Sequence, residues 1–163
     1  RNFGAAFDRL DSAEYHDLLD RRYGFYYIDL TRHDADVEIL IVQNIFSGNP
    51  PTSPNPDSTN NGIRSIDVVV LEGEGEWTNV PTSHEDFGGV PGAVQRVYDT
   101  RFVFHHDAGT LTLDMPQTFY AVPESVIVDG CDTIEWKLLG QMDRVDPKRI
   151  DRAGWSEFKS SFR

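Results

Sequence analysis

At 163 residues, with 39% hydrophobic and 12% aromatic content, the chain is long enough for one domain with a substantial core. Its formal net charge of −12 repels nucleic-acid phosphates at long range and argues against tight or sequence-specific DNA binding. The lone Cys131 excludes an intrachain disulfide and a cysteine-based zinc site, and apolar runs no longer than Ile39–Val42 and Val68–Leu71 exclude a transmembrane helix.

The given residues show no basic stretch followed by an apolar one, so no signal peptide is expected. Cysteine usage fits a reducing, intracellular site of folding or assembly. The basic residues are mostly arginine; lysine occurs only at Lys137, Lys148 and Lys159. The acidity fits solubility in a high-salt or GC-rich host. It also fits a surface along which a polyanion slides without sticking.

Residues 5–23 form the one good helix candidate, with a shorter turn over Phe7–Leu10 allowed as a separate start. Asp11 and Glu14 have the spacing of a capping box, Leu18, Leu19 and Tyr23 form an apolar stripe, and Gly24 suits the stop. From Phe25 the pattern turns to strands. Candidates are Phe25–Thr31, Asp36–Phe46, Ile63–Leu71, Arg96–His105, Thr110–Asp114 and Phe119–Val122. Asp107-Ala108-Gly109 reads as a turn. A final hairpin follows, with Pro123–Val128 and Cys131–Gly140 flanking Asp129-Gly130, a dipeptide that tolerates the positive φ of a tight turn. Seven to nine short strands with turn-length connections predict a mainly β fold. The expectation is a small antiparallel β-barrel or sandwich with an N-terminal helix and long protruding loops.

Two loops stand out. Residues 47–62 hold four prolines and almost no apolar side chain, so they are expected to be exposed. Residues 73–95 carry Trp77, Val80, Phe87, Val90 and Val94, so this loop is expected to pack on its own domain or on a neighbour. In the tail, 143–163, Trp155, Phe158 and Phe162 have helical spacing. It reads as a closing helix or as an arm for a partner subunit. The whole of 1–163 reads as a single domain, with a barrel over 25–142.

Candidate chemistry is sparse. His105-His106-Asp107 suggests metal binding, but adjacent strand residues face opposite ways. His33-Asp34-Ala35-Asp36 and His84-Glu85-Asp86 sit where polar turns are expected. Glu72-Gly73-Glu74-Gly75-Glu76 would meet a phosphate with three carboxylates and lacks the Gly-Lys-Ser/Thr of a phosphate loop. Cys131 has no evident histidine partner. No catalytic, cofactor or metal residue is assigned, and no enzyme activity or cofactor is expected.

The order of elements, with the hairpin of Pro123, Val126, Val128, Asp129-Gly130, Ile134, Trp136 and Leu138, resembles the head-closure (stopper) and head-to-tail joining proteins of tailed phages and related viruses. The resemblance implies a virion structural protein: a connector subunit between capsid portal and tail, self-assembled into a six- or twelve-fold ring. It would contact portal, adaptor and tail proteins, DNA would pass through without specific binding, and no membrane would be involved. A tail terminator, tail-tube or baseplate component is the near alternative. Two readings of another class stay open. One is a small-molecule-binding β-barrel with Phe102, Phe104, Tyr120 and Trp136 lining a pocket. The other is a metal-dependent enzyme using His33, His84, His105 or His106.

Overall fold

The computed structural model describes residues 3–27, 31–48, 62–106 and 109–144, without the side chains of 69–72. The expected loop at 47–62 lies almost entirely outside the described residues, as do Asp107-Ala108 of the expected turn and the tail from 145 onward.

Two short helices open the chain, α1 (Phe3–Asp8) and α2 (Ser12–Leu18). The helical segment expected over 5–23 is thus split, as the separate turn at Phe7–Leu10 allowed, and it ends at Leu18 instead of Tyr23. The break falls at Leu10, whose φ is +53°, and Asp11 restarts the helix. Its Oδ1 accepts from the Ala13 and Glu14 amides at 3.0 and 2.9 Å. Half of the expected capping box therefore forms, while the Glu14 carboxylate turns to Arg9 at 3.0 Å. Helix α2 stops at Leu18 and the chain extends into β1 (Leu19–Tyr26). Tyr23 is thus a strand residue. Gly24 is not a helix stop: it pairs with Asp34 of β2 (Arg32–Asp34), and a Cβ there would lie 2.5 Å from the Arg32 Nε.

The strand expected over Asp36–Phe46 is a helix, α3 (Ala35–Phe46). Its wealth of β-branched residues suggested a strand. Two local features decide otherwise. Asp34 caps the first turn by accepting from the Val37 amide at 3.2 Å, and Asp36 and Glu38 lie in the first turn, where carboxylates favour the helix dipole. The buried positions Glu38, Ile41, Val42 and Ile45 then follow the spacing of one helical face.

The remaining strands are β3 (Ile63–Asn79), β4 (Val94–His106), β5 (Gly109–Val128) and β6 (Cys131–Asp143). The protein is mainly β, as expected, but with fewer and longer strands. The segments Thr110–Asp114, Phe119–Val122 and Pro123–Val128 are one continuous β5 that runs through Pro116. The described strands form one six-stranded sheet in the order β2-β1-β6-β5-β4-β3. It is mixed, because β1 lies parallel to β6 while every other pair is antiparallel. The edges β2 and β3 do not pair with each other. The described strands are therefore one open sheet, where a barrel or sandwich was expected. The Asp129-Gly130 turn forms as read, with φ of +50° and +80°, the two positive values a tight hairpin turn needs. Among the described residues no helix is long and apolar enough to cross a membrane.

The sheet is packed on both faces. On one, Phe7, Tyr15, Leu18, Ile41, Val42 and Ile45 of the helices meet Tyr23, Phe25, Phe102, Phe104 and Leu113 of the strands. On the other, the connection from β3 to β4 lays Val80, Phe87 and Ala93 against Tyr26, Tyr120, Val122 and Leu139. Strand alternation separates the two faces: Phe25 and Tyr26, or Gly140 and Gln141, point opposite ways. The loop expected over 73–95 is thus β3 as far as Asn79, then a connection packed on its own domain.

Phe87 can lie this close because Gly140 has no side chain; a Cβ there would come within 2.7 Å of the Phe87 ring and of the Gly24 carbonyl. Gly140→Ala is expected to cost about 1–3 kcal/mol, and Phe87→Ala about 3–5 kcal/mol. Urea unfolding checks both. The double variant should cost less than the sum, since removing the Phe87 ring vacates the space that the added methyl group needs.

Candidate functional site

The helix-covered face holds a connected set of buried polar side chains. Helix α2 supplies Tyr15, α3 supplies Glu38, β2 supplies His33, β1 supplies Tyr23 with Tyr27 just beyond its end, and β6 supplies Gln141. The Tyr15 hydroxyl donates to Glu38 Oε1 at 2.7 Å, and Glu38 Oε2 lies 2.6 Å from His33 Nε2. The other ring nitrogen, Nδ1, is 3.0 Å from the Tyr27 hydroxyl. With a proton on Nε2, the imidazole donates to the carboxylate and accepts from Tyr27. Phe25 stacks on the imidazole at 5.1 Å and 15° and fixes its plane.

Glu38 is wholly buried and His33 nearly so. A carboxylate in such a place persists only when paired and hydrogen-bonded, and both of its oxygens are engaged. Burial pushes the Tyr15 phenol well above its ordinary range, and the Glu38 charge pushes it further. Burial does the same to Tyr23, again with Glu38 adding and Asp143 contributing less. Both phenols are therefore held neutral, as hydrogen-bond donors.

Gln141 is the exception to this pairing. Its Oε1 accepts from the Tyr23 hydroxyl at 2.8 Å and lies 3.4 Å from the Tyr15 hydroxyl, whose single proton goes to Glu38. Its Nε2 is buried without a partner. Turning the amide over would exchange its two ends and leave the oxygen unpaired instead. Either way, one polar end of a fully buried amide is left over, at a cost of about 1–3 kcal/mol. Two residues along β6, on the same face, Asp143 accepts from Gln117 Nε2 at 2.8 Å. Thr100 on β4 donates to the Met115 carbonyl at 2.8 Å and lies 3.3 Å from Gln117 Oε1. A polar line thus runs across β4, β5 and β6 to the His33–Glu38 pair.

No family model and no curated protein matches the chain. Solved structures do resemble it. One is an NTF2-like protein of unknown function in nutrient uptake from Rhodospirillum rubrum. It has a TM-score of 0.51 and 10% identity over 87% of this chain and 90% of that one. Another is a protein proposed to be an aromatic ring hydroxylase from Novosphingobium aromaticivorans. It has a TM-score of 0.56 and 11% identity over 86% of this chain and 79% of that one. The fold is NTF2-like.

Within this NTF2-like fold, the residues singled out in the sequence are scattered. Of the four histidines, only His33 enters the polar network. His84 sits on the opposite face, stacked on Phe87 at 5.0 Å and edge-on to Tyr120 at 5.0 Å. Its Nδ1 accepts from the Phe87 amide at 3.3 Å, and burial lowers its pKa. His105 pairs with Asp67 at 2.9 Å near the far end of β4, with His106 beside it. Among the described residues, no three His, Cys, Asp or Glu side chains come together in a metal-holding group. The four aromatics expected to share a pocket are divided: Phe102 and Phe104 are core, Tyr120 is on the opposite face, and Trp136 is 55% exposed. Glu74 and Glu76 stand exposed on β3, and Cys131 is exposed at the start of β6.

Sequence reading passed over Tyr15, Glu38, Gln141 and Asp143 as site residues, and took Tyr23 for part of an apolar helical stripe. One signal was available: Glu38 interrupts the apolar run Val37–Val42, which is unusual on a buried helix face unless the charge has partners.

The raised phenols make stability depend on alkaline pH. Above the ordinary value of 10.0 the unfolded chain releases phenol protons that Tyr15 and Tyr23 retain in the fold. Stability is therefore complete below that pH and falls as pH rises through it. Denaturant midpoints should drop between pH about 9 and about 11. The drop should be shallower in Tyr15→Phe and Tyr23→Phe, with phenolate absorbance appearing together with unfolding.

Proposed function

We propose that this domain binds a small organic molecule against the Tyr15–Glu38–His33–Gln141 network. The observation that carries the reading is the unpaired amide end of Gln141, fully buried beside two neutral phenols and an imidazole–carboxylate pair. With Oε1 held by Tyr23, the spare group is the Nε2 donor, so the matching ligand offers an acceptor, a carbonyl or carboxyl oxygen. The His33–Glu38 pair is a proton carrier next to it, which makes acid–base chemistry on that ligand available. That a protein of this fold is proposed to be an aromatic ring hydroxylase supports a small organic occupant.

The test compares wild type with the double variant Tyr23→Phe/Gln141→Leu, which removes the spare amide together with its partner and should cost little stability. Small ketones and carboxylic acids are screened singly by thermal shift and calorimetry. At least one should stabilise the wild type, bind roughly tenfold or more weakly to the double variant, and show pH-dependent binding that His33→Gln abolishes. No binding by any compound, or equal binding to the double variant, would sink the reading.

A second reading, self-assembly of the kind the head-closure resemblance implies, is favoured by one observation. Beyond the covered part of the sheet, the β5–β6 hairpin exposes Ile127 (76%), Ile134 (65%) and Val128 (46%). Apolar side chains gathered in this way on a hairpin mark an interaction surface. Native mass across low to high salt tests it. Assembly should grow as salt screens the mutual repulsion of chains each carrying −12, and should vanish in Ile127→Ser/Ile134→Ser. A monomer at every salt concentration would rule out assembly without a partner.

A further inference from the structure

The helix-covered face of the sheet carries a second concavity, a few residues along β5 from the polar network. A groove of about 320 Å³ is lined by Trp77, Val94, Ala121 and Trp136. Ala121 is two residues beyond Phe119, which packs edge-on to Phe3 of α1 at 5.4 Å, so it shares the helix-covered face. Val94 is its direct partner across the β4–β5 ladder. These two small side chains make the floor, with Trp77 of β3 and Trp136 of β6 as walls. Both indoles remain open to solvent, 41% and 55% exposed.

One cation stands on this face beside the groove. Arg96 is two residues along β4 from Val94, so its side chain leaves the sheet on the same side. Its guanidinium lies over the Tyr98 ring at 5.1 Å, and the Trp77 indole packs edge-on to that same ring at 6.0 Å. The charge therefore adjoins one wall of the groove. Gly73 makes room for it, since a Cβ there would overlap the guanidinium. A guanidinium carries five N–H donors. This one donates through Nη2 to the Gly73 carbonyl at 3.1 Å, while its Nε is buried without a partner. The acidic residues nearby face the other way. Glu74 stands opposite Val97, and Glu124 opposite Glu135, at positions that alternate with Arg96, Ala121 and Trp136. The net charge of −12 repels an anion at long range, but physiological salt screens exposed charges beyond about 8 Å, whereas the guanidinium acts at contact.

We propose that the Trp77–Trp136 groove, with Arg96 at its rim, binds an organic carboxylate that has an apolar body. The body lies on Val94 and Ala121 between the indoles, and the carboxylate takes N–H groups that Arg96 leaves unused. The planar fork of arginine matches a carboxylate in geometry as well as in charge. The site is separate from the Gln141 network and does not rest on that reading.

The probe is 4-phenylbutyrate, whose flexible tether lets the ring and the carboxylate reach the two parts of the site. It is titrated into the full chain with tryptophan fluorescence and calorimetry as readouts. The controls keep the same body and tether: the neutral 4-phenylbutyramide and the cationic 4-phenylbutylamine. The carboxylate should bind saturably, and the amide and the amine roughly tenfold or more weakly. Arg96→Gln should abolish this preference, and Arg96→Lys should restore part of it. Ala121→Leu, which fills the floor and leaves both indoles and Arg96 in place, should weaken binding by a similar factor. Tyr23→Phe/Gln141→Leu should leave it unchanged, which separates this site from the network. Melting curves show that each variant is folded. No saturable binding of the carboxylate, equal binding of the amide or the amine, a preference that survives Arg96→Gln, or binding lost in Tyr23→Phe/Gln141→Leu would each overturn the proposal.

Discussion

The helix-covered side of the molecule is organised around one buried carboxylate. Glu38 projects from the inner face of α3, and its two oxygens reach in different directions, to Tyr15 on α2 and to His33 on β2. Helix α2 is thereby fixed to the adjoining pair β2 and α3, about 20 residues on, through a single side chain. The apolar contacts around it, Phe7, Ile41, Val42 and Ile45 against Phe25 and Phe102, supply the larger part of the burial energy but are non-directional. The carboxylate adds direction. Rotating α3 by one residue would keep much of the apolar contact and break both hydrogen bonds, leaving a charge unpaired at a cost of about 3–5 kcal/mol.

The parallel pairing of β1 with β6 has a related consequence. It places Tyr23 beside Gln141, 118 residues apart in sequence, and so joins the N-terminal helices to the last strand. The polar network is therefore non-local in the chain. Its members come from α2, β1, β2, α3, β4, β5 and β6, and it exists only once the whole sheet is formed.

That non-locality explains what the sequence disclosed and what it concealed. The Asp129-Gly130 hairpin was legible because its cause lies within two residues: a backbone that needs two positive φ angles. The strand character of β4, with Phe102 and Phe104 alternating inward, was legible for a similar reason. Helix α3 was misread because Val37, Ile39, Ile41 and Val42 weigh toward a strand, while the deciding cap at Asp34 is a single side chain. The break at Leu10 and the switch to β1 at Leu19 likewise turn on tertiary contacts that override a helix-compatible run. Of the polar network, only His33 was singled out, and then for metal binding. Tyr15, Tyr23 and Gln141 carry no motif, since what unites them is proximity across the fold.

Stability alone is a poor account of the network. Well-packed apolar side chains of similar volume often replace buried ion pairs at no loss, or with a gain. Here the arrangement contains a wholly buried carboxylate, two phenols kept neutral by desolvation, and an amide with an unmade hydrogen bond. Each carries a cost that leucine or phenylalanine would avoid. The same face of the sheet, a few residues further along β5, holds an apolar floor of Val94 and Ala121 between exposed indoles. There the deviation is the opposite one: large apolar side chains left uncovered. For the network, that cost is what the proposed binding of a small molecule would offset.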